Sequence, residues 1–216
     1  MVPKTGSMGL AEIGASILER LEQTNQLRDS ALHDGRQIVR LSANTVRAIH
    51  RDELVEAGLL LAEARAMLRS MLDGLGPSSN LRSAGYVQDA MKECAEAAIT
   101  LAIVPLTAIP TPSDLDIDDA PYLNALAESA SEMRRRTLDQ LRGGDFAGAE
   151  HSLEIMDEIY AFLVTVDFPD GLTGGLRRST DSLRAVLERT RADLTITGAQ
   201  NRLYDAIQQA SLQNDG

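Results

Sequence analysis

The sequence contains few of the residues that mark several common protein classes. Its 216 residues include one cysteine, no tryptophan and only 3% aromatic side chains. Because a single cysteine has no partner for an internal disulfide, the chain is not a disulfide-stabilised scaffold. It has neither a signal-like apolar run behind a basic start nor an apolar stretch of about 18 residues, so no membrane-spanning segment is expected. These absences predict a cytoplasmic protein.

Positive charge is also scarce. Lysine and arginine total 21 residues against 32 aspartates and glutamates, which gives a net charge of −11. Such a balance argues against indiscriminate binding to nucleic acid or to an anionic membrane, but it leaves room for a local basic surface. The positions of the arginines therefore matter more than their total.

The abundant residues favour helices. Ala, Leu, Glu and Arg are common, while β-branched runs are short, so helices are expected in preference to strands. Glycine and proline clusters then mark where helices end. We predict helices over about 10–26 and 28–51 (one long or broken helix with Gly35 as a weak point), 53–73, 82–103, 121–142, 145–166, 172–193 and 197–212.

These helices predict an all-α, antiparallel bundle of six or seven helices joined by mostly short connections. We assign residues 8–196 to this one domain and residues 197–216 to a C-terminal helix with a frayed tail. The longest loop, 105–119, contains three prolines. Residues 1–7 (MVPKTGS) are typical of an expression remnant and are left out of the fold prediction.

Four arginines form a stripe on the first long helix. At about 100° per residue, Arg36, Arg40, Arg47 and Arg51 fall within about 60° of one another. Such a stripe is either a solvated face with interhelical ion pairs or a track for phosphates, since spaced guanidiniums can each bind a pair of phosphate oxygens. The spacing by itself leaves both interpretations open.

Two glutamates one turn apart, Glu93 and Glu96, share a face of the third helix. They are either part of an exposed acidic face or ligands for a divalent metal, since ions such as Mg²⁺ take carboxylate oxygens. Comparable rows of carboxylates lie on the fourth and fifth helices: Glu128 with Glu132, and Glu150, Glu154 and Asp157. If these helices neighbour the third, several carboxylates can converge.

Signatures of other active sites are missing. The chain has no Walker-type or dinucleotide glycine loop, and its three histidines occur without the clustered cysteines of a zinc site. No serine, threonine or cysteine lies in a recognisable nucleophile setting. Nucleophilic catalysis by the chain itself is therefore not expected.

Five segments resemble the translin and TRAX (translin-associated factor X) family, including its single-gene prokaryotic members. In chain order they are RLSANTVRAIHR (40–51), YVQDAMKECAEA (86–97), PYLNALAESASEMR (121–134), GD (144–145) and DFPDGLTGGLRR (167–178). They extend over about 30–195, and their order and spacing together make the match specific, although no one motif is diagnostic.

The resemblance implies a translin-like α-α superhelix of about seven helices that assembles into a hollow, barrel-like octamer with nucleic acid inside. Translin-like members bind single-stranded RNA or DNA. TRAX-like members add metal-dependent RNA cleavage by acidic residues that face the cavity.

By resemblance, Glu93 and Glu96 match the two glutamates of the TRAX E-x-x-E motif, which translin itself lacks. The sequence departs from TRAX at two positions. The third TRAX carboxylate, an aspartate after a tyrosine on the fifth helix, falls at Ala161, which follows Tyr160. A lysine that TRAX carries on the first helix falls at Ala43.

Other carboxylates can take the place of the missing aspartate. Asp157 lies one turn before Ala161 on the same helix face, with Glu132 and Glu154 as further candidates. We therefore hypothesise Glu93, Glu96 and Asp157 as catalytic residues, and Glu93, Glu96, Asp157 and Glu132 as metal ligands.

The resulting prediction is a Mg²⁺- or Mn²⁺-dependent endoribonuclease that acts on single-stranded RNA within a homo-oligomer. Single-stranded DNA is a second candidate ligand. The arginine stripe (Arg36, Arg40, Arg47 and Arg51) is then the nucleic-acid track. One alternative is a non-catalytic, translin-like binding protein. Another is an assembly whose cavity does not hold nucleic acid, as the net charge of −11 suggests.

Overall fold

The structure is a computed structural model that describes residues 8–76 and 80–214. Within these ranges all regular structure is helical, which confirms the all-α prediction. The helices are α1 (Met8–His50), α2 (Leu54–Leu75), α3 (Gly85–Ile103), α4 (Pro112–Leu115), α5 (Asp119–Arg142), α6 (Phe146–Leu163), α7 (Asp170–Thr173) and α8 (Leu176–Asn214). Six are long, and α4 and α7 are single turns. The proposed expression remnant lies outside the described residues.

Both α1 and α8 are continuous, which selects the long form of the first helix and corrects the expected break between 193 and 197. Gly35 does not break α1, and residues 197–212 are the end of α8 rather than a separate helix. Each of these helices contains a glycine, Gly35 in α1 and Gly198 in α8, at a point where another element approaches closely. A Cβ on Gly35 would lie 3.3 Å from the Tyr86 carbonyl oxygen, and one on Gly198 would lie 2.7 Å from the Phe146 ring. Packing therefore explains these glycines better than helix breaking does.

Helices joined by three-residue turns run antiparallel, as in α1–α2 across residues 51–53 and α5–α6 across 143–145. In contrast, α1, α3, α5 and α8 run in the same direction. Gly35 lies beside Tyr86 near the start of α3, and Ile49 lies with Thr100 near its end. Since α5 starts at the same end as α3, the 104–118 connection must return along the length of α3, which explains why it is long.

The helix α3 lies at the centre of the bundle. It packs against α1, α2 and α5, and its buried side chains are mostly small: four of its alanines, Ala90, Ala95, Ala97 and Ala98, are buried. Such residues let neighbouring helices approach closely. Cys94 belongs to this core, where burial raises the pKa of its thiol to about 12, so it is a packing residue rather than a nucleophile.

We find no membrane-spanning candidate among the helices of residues 8–76 and 80–214, since none combines the required length with enough apolar character.

Candidate metal centre

Three glutamates from two helices meet on one side of the bundle. Glu93 and Glu96 extend from α3 and Glu128 from α5, and one carboxylate oxygen of each lies within 4.8 Å of the other two. All three side chains are partly buried. In the part of the chain that the structure describes, this is the one group of at least three carboxylate, histidine or cysteine side chains close enough to share an ion.

The packing of α5 on α3 brings these carboxylates together. The Ser129 hydroxyl donates a 3.2 Å hydrogen bond to the Glu96 carbonyl oxygen and a 2.8 Å bond to the Ala125 carbonyl oxygen. Ala125 and Ala130 are fully buried beside it, which lets the two helix backbones approach. Because Glu128 directly precedes Ser129, its side chain projects beside Glu93 and Glu96.

Of the three glutamates, Glu96 is the one whose surroundings most disfavour the charged carboxylate. Burial, followed by the charges of Glu93, Glu128 and Glu132, raises the pKa of Glu96 to about 8. A proton on Glu96 relieves part of the repulsion when no cation is bound. A divalent cation would remove the same repulsion and favour the ionised form.

An ammonium group already compensates this cluster. The Lys92 Nζ lies 2.8 Å from both carboxylate oxygens of Glu128 and 3.3 Å from Glu93 Oε1. Burial alone would lower the pKa of Lys92, but its bond to Glu128 and the charges of Glu128 and Glu93 raise it instead. Lys92 is therefore a cation held by two of the three carboxylates.

The donor set suits a hard divalent ion. Three carboxylates offer only oxygen ligands, which Mg²⁺ and Mn²⁺ prefer over sulfur or imidazole sites. The Lys92 ammonium occupies the edge of the cluster as a stand-in cation, so the group attracts positive charge even without a metal. The residues present thus fit a Mg²⁺ or Mn²⁺ centre.

Glu132 lies next to this group but is bound elsewhere. Its Oε2 is 2.7 Å from His50 Nε2 on α1, although its charge still acts on Glu96. A cleft of about 230 Å³ opens at this point, with His50, Thr100, Glu132 and Arg136 among its lining residues. Thr100 is buried, and its hydroxyl has no hydrogen-bond partner in the described part of the chain.

The carboxylates expected from α6 are not part of the group. Arg191 on α8 donates to both oxygens of Asp157, at 2.7 and 2.9 Å, and Glu154 pairs with His151 at 3.2 Å. Ala161 is exposed. The structure thus brings Glu93 and Glu96 together, places Glu132 beside them and holds Asp157 against α8.

Glu128 is the site residue that the sequence hypothesis missed. Its signal was present, since it lies one turn before Glu132 on the same face of α5. The spacing showed the row of carboxylates but not which member points at Glu96, because that depends on the register between α3 and α5.

All four residues of the arginine stripe are exposed. Arg40 donates to Gln37 at 3.2 Å and Arg47 to Asn44 at 2.7 Å, both within α1. Among the four, and within the described residues, Arg51 alone pairs with carboxylates, those of Glu53 and Glu56. Most of the stripe is therefore free of the interhelical ion pairs that would give it a purely structural role. Arg51, at the end of the stripe, directly follows His50, which contacts Glu132 beside the carboxylate group.

Comparison with known proteins finds similar chains, whereas no family model matches. An uncharacterised protein of Methanocaldococcus jannaschii, MJ0175, is 26% identical over 190 residues, which cover 86% of this chain and 82% of the relative. A structure of AfC3PO in complex with duplex RNA has a TM-score of 0.77 and 30% identity, over 86% of this chain and 96% of that one.

Two further structures share the fold. The crystal structure of AfC3PO has a TM-score of 0.76 and 29% identity, over 86% of this chain and 97% of that one. Apo-NeC3PO has a TM-score of 0.78 over 89% of this chain and 100% of that one, but at 17% identity the likeness concerns the fold alone.

Proposed function

Because the chain belongs to the translin/TRAX family, as its 30% identity to AfC3PO indicates, we propose that it binds RNA and cleaves it with a divalent metal. The observation that carries the proposal is the convergence of Glu93, Glu96 and Glu128 from two helices. A binding protein needs no such cluster of partly buried, mutually repelling carboxylates.

Binding of nucleic acid rests on two observations. AfC3PO has been solved with duplex RNA, and this chain carries an exposed stripe of four arginines on α1. Each guanidinium can bind phosphate oxygens without reading the base sequence. Single-stranded RNA remains our proposed substrate, and duplex RNA of the same sequence is the appropriate comparison.

In this proposal Glu93, Glu96 and Glu128 hold Mg²⁺ or Mn²⁺, and Glu128 takes the role that the sequence hypothesis gave to Asp157. The ion would supply Lewis-acid stabilisation of the phosphate charge and acidify a bound water. The arginines of the stripe bind and orient the substrate. Arg47 lies one turn before His50, and His50 holds Glu132 beside the carboxylates. RNA on the stripe is thereby directed towards the metal centre.

Self-association is part of the proposal. The first half of α1 and the last part of α8 expose apolar side chains that the rest of residues 8–76 and 80–214 leaves uncovered: Leu10, Ile13, Ile17, Leu18, Leu21, Leu203, Tyr204 and Ile207. Exposed apolar surface of this extent is typical of interaction sites. We propose a homo-oligomer, with an octamer expected from the family resemblance, in which enclosure limits the size of the substrate.

The experiment is cleavage of end-labelled single-stranded RNA in Mn²⁺, with RNA binding measured in parallel. We expect the wild type to cleave in Mn²⁺ and not in EDTA, and Glu93→Ala with Glu96→Ala to lose cleavage while binding persists. Asp89→Ala, which removes an exposed acid from the same helix, and Asp157→Asn serve as controls that retain cleavage. Metal-dependent cleavage that survives the double substitution, in preparations free of other nucleases, would show that the assignment is wrong.

The alternative is a non-catalytic RNA-binding protein of the translin type. It is favoured by Ala161, which leaves the position after Tyr160 without a carboxylate, and by Lys92, which already neutralises part of the cluster. RNA binding with steep salt dependence, but without cleavage in either Mg²⁺ or Mn²⁺, would select this alternative.

A further inference from the structure

Lysine is almost absent from this protein. The sequence has two lysines, Lys4 and Lys92, against 19 arginines. Among residues 8–76 and 80–214, Lys92 is therefore the one lysine and every arginine supplies a guanidinium. The ammonium of Lys92 lies in the carboxylate cluster. An ammonium is a compact point charge, whereas a guanidinium is planar and larger, so the two differ most in a crowded site of this kind.

The contacts of Lys92 resemble those of a bound ion more than those of a surface ion pair. Its Nζ lies 2.8 Å from each oxygen of Glu128 and 3.3 Å from Glu93. The side chain is 23% exposed, and both carboxylates belong to the group that would hold a metal. Both oxygens of Glu128 are thus engaged by a cation supplied by the chain itself.

We propose that Lys92 is a built-in competitor for the metal: its ammonium holds Glu128 in the metal-free protein and must move off that carboxylate when a divalent cation binds. This inference rests on the proposed metal centre. A divalent ion bound to Glu128 at the same time would lie close to the ammonium, and the two positive charges would repel. Lys92 therefore weakens metal binding, and it positions Glu128 while the metal is absent.

The direct test is the affinity for Mn²⁺ alone, measured by electron paramagnetic resonance or calorimetry on the full chain without RNA. We expect Lys92→Gln, which removes the charge, to bind Mn²⁺ about tenfold more tightly or better, because an ammonium within about 6 Å of a divalent ion weakens binding by about that factor even at the dielectric constant of water. Lys92→Arg keeps the charge and is expected to bind no more tightly than the wild type. Equal or weaker binding by Lys92→Gln would overturn the inference.

A measurement on the wild type avoids any folding defect of the variants. Because the sequence has only two lysines, isotope labelling of lysine gives two side-chain NMR signals, and Lys92→Arg assigns them. Titration with Mg²⁺ is expected to shift the Lys92 signal. A Lys92 signal that stays unchanged while Mg²⁺ binds would also overturn the inference.

These outcomes separate the inference from the proposed function. If the wild type binds Mn²⁺ and Lys92→Gln binds it equally, the competitor role fails and the metal centre stands. If Lys92→Gln gains Mn²⁺ binding that the wild type lacks, the competitor role is supported. If neither protein binds Mn²⁺, both proposals fail.

Discussion

The imidazole of His50 and the carboxylate of Glu132 lie 2.7 Å apart, His50 Nε2 to Glu132 Oε2. This contact joins the end of α1, which carries the arginine stripe, to the middle of α5. Glu132 lies there one turn after Glu128. The His50 side chain is only 11% exposed, whereas the Glu132 side chain is 38% exposed. The contact couples the proposed RNA track to the proposed metal centre through one pair of side chains.

Loss of this contact is expected to destabilise the fold. His50→Ala leaves Glu132 without its partner and should lower the free energy of unfolding by about 1–2 kcal/mol, the usual effect of orphaning a partly buried group. Urea denaturation measures the change. His33→Ala is the matched control, since His33 is exposed on the same helix and hydrogen-bonds with Gln37 one turn away. Equal midpoints for the two variants would contradict the role of His50.

Glu96 should cost stability at neutral pH. Its pKa in the folded protein is about 8, above its usual value of 4.5. Between these two pH values the unfolded chain has lost the proton and the folded chain retains it. The free energy of unfolding therefore falls as pH rises through this window, and it is unaffected by Glu96 well below pH 4.5.

Glu96→Gln removes this penalty. In the absence of metal, the variant is expected to be more stable than the wild type by on the order of 2 kcal/mol near pH 7.5, with a much smaller difference near pH 5. Denaturation of both proteins at the two pH values measures this difference in stability. Glu63→Gln, at an exposed position on α2, is the control. A stability difference that is the same at both pH values would rule out the raised pKa of Glu96 as its source.

Metal binding should release a proton from Glu96. Because its pKa is about 8 in the metal-free protein, the carboxyl is mostly protonated at pH 7 and must ionise to coordinate an ion. Mn²⁺ affinity is thus expected to rise with pH up to about pH 8. Calorimetry in buffers of different ionisation enthalpy should find close to one proton released per ion at pH 7. Binding with no proton release would contradict coordination by a Glu96 carboxyl that is protonated in the metal-free protein.

The arginine stripe should carry most of the affinity for RNA. Arg40→Glu with Arg47→Glu removes two phosphate contacts and is expected to weaken binding, and to reduce the slope of log affinity against log salt by about one or more. Titrations at several salt concentrations measure both. The matched control is Arg184→Glu with Arg189→Glu, which makes the same change in net charge at exposed positions of α8. Equal losses in the two double variants would show that net charge, not the stripe, governs binding.

Much of the fold could be predicted from the sequence because its helices end at glycine and proline clusters. The bounds of α2, α3, α5 and α6 fall within a few residues of those expected. The sequence left open whether α1 continues through Gly35, since a glycine that permits close packing and one that ends a helix look alike. It also divided α8 at 194–196, where the helix is continuous. The parallel direction of α3 and α5 was also not visible, because it depends on the path of a 15-residue connection.

The candidate site was predicted only in part, because contacts between different helices cannot be read from local sequence spacing. Glu93 and Glu96 are neighbours on one helix, so their spacing alone places them together. Glu128 and Lys92 meet across 36 residues of sequence, and no local pattern reports such a contact. Asp157 was chosen because it lies one turn before Ala161 on the same helix face, whereas the structure gives it an arginine partner on α8.

We propose that Glu128, together with Glu93 and Glu96, forms a divalent-metal centre. The most direct measurement is anomalous diffraction from crystals grown with Mn²⁺. We predict a manganese peak within coordinating distance of all three carboxylates, with the Lys92 ammonium moved away from Glu128. A manganese peak at Asp157, or no peak beside the three glutamates at saturating Mn²⁺, would contradict the account.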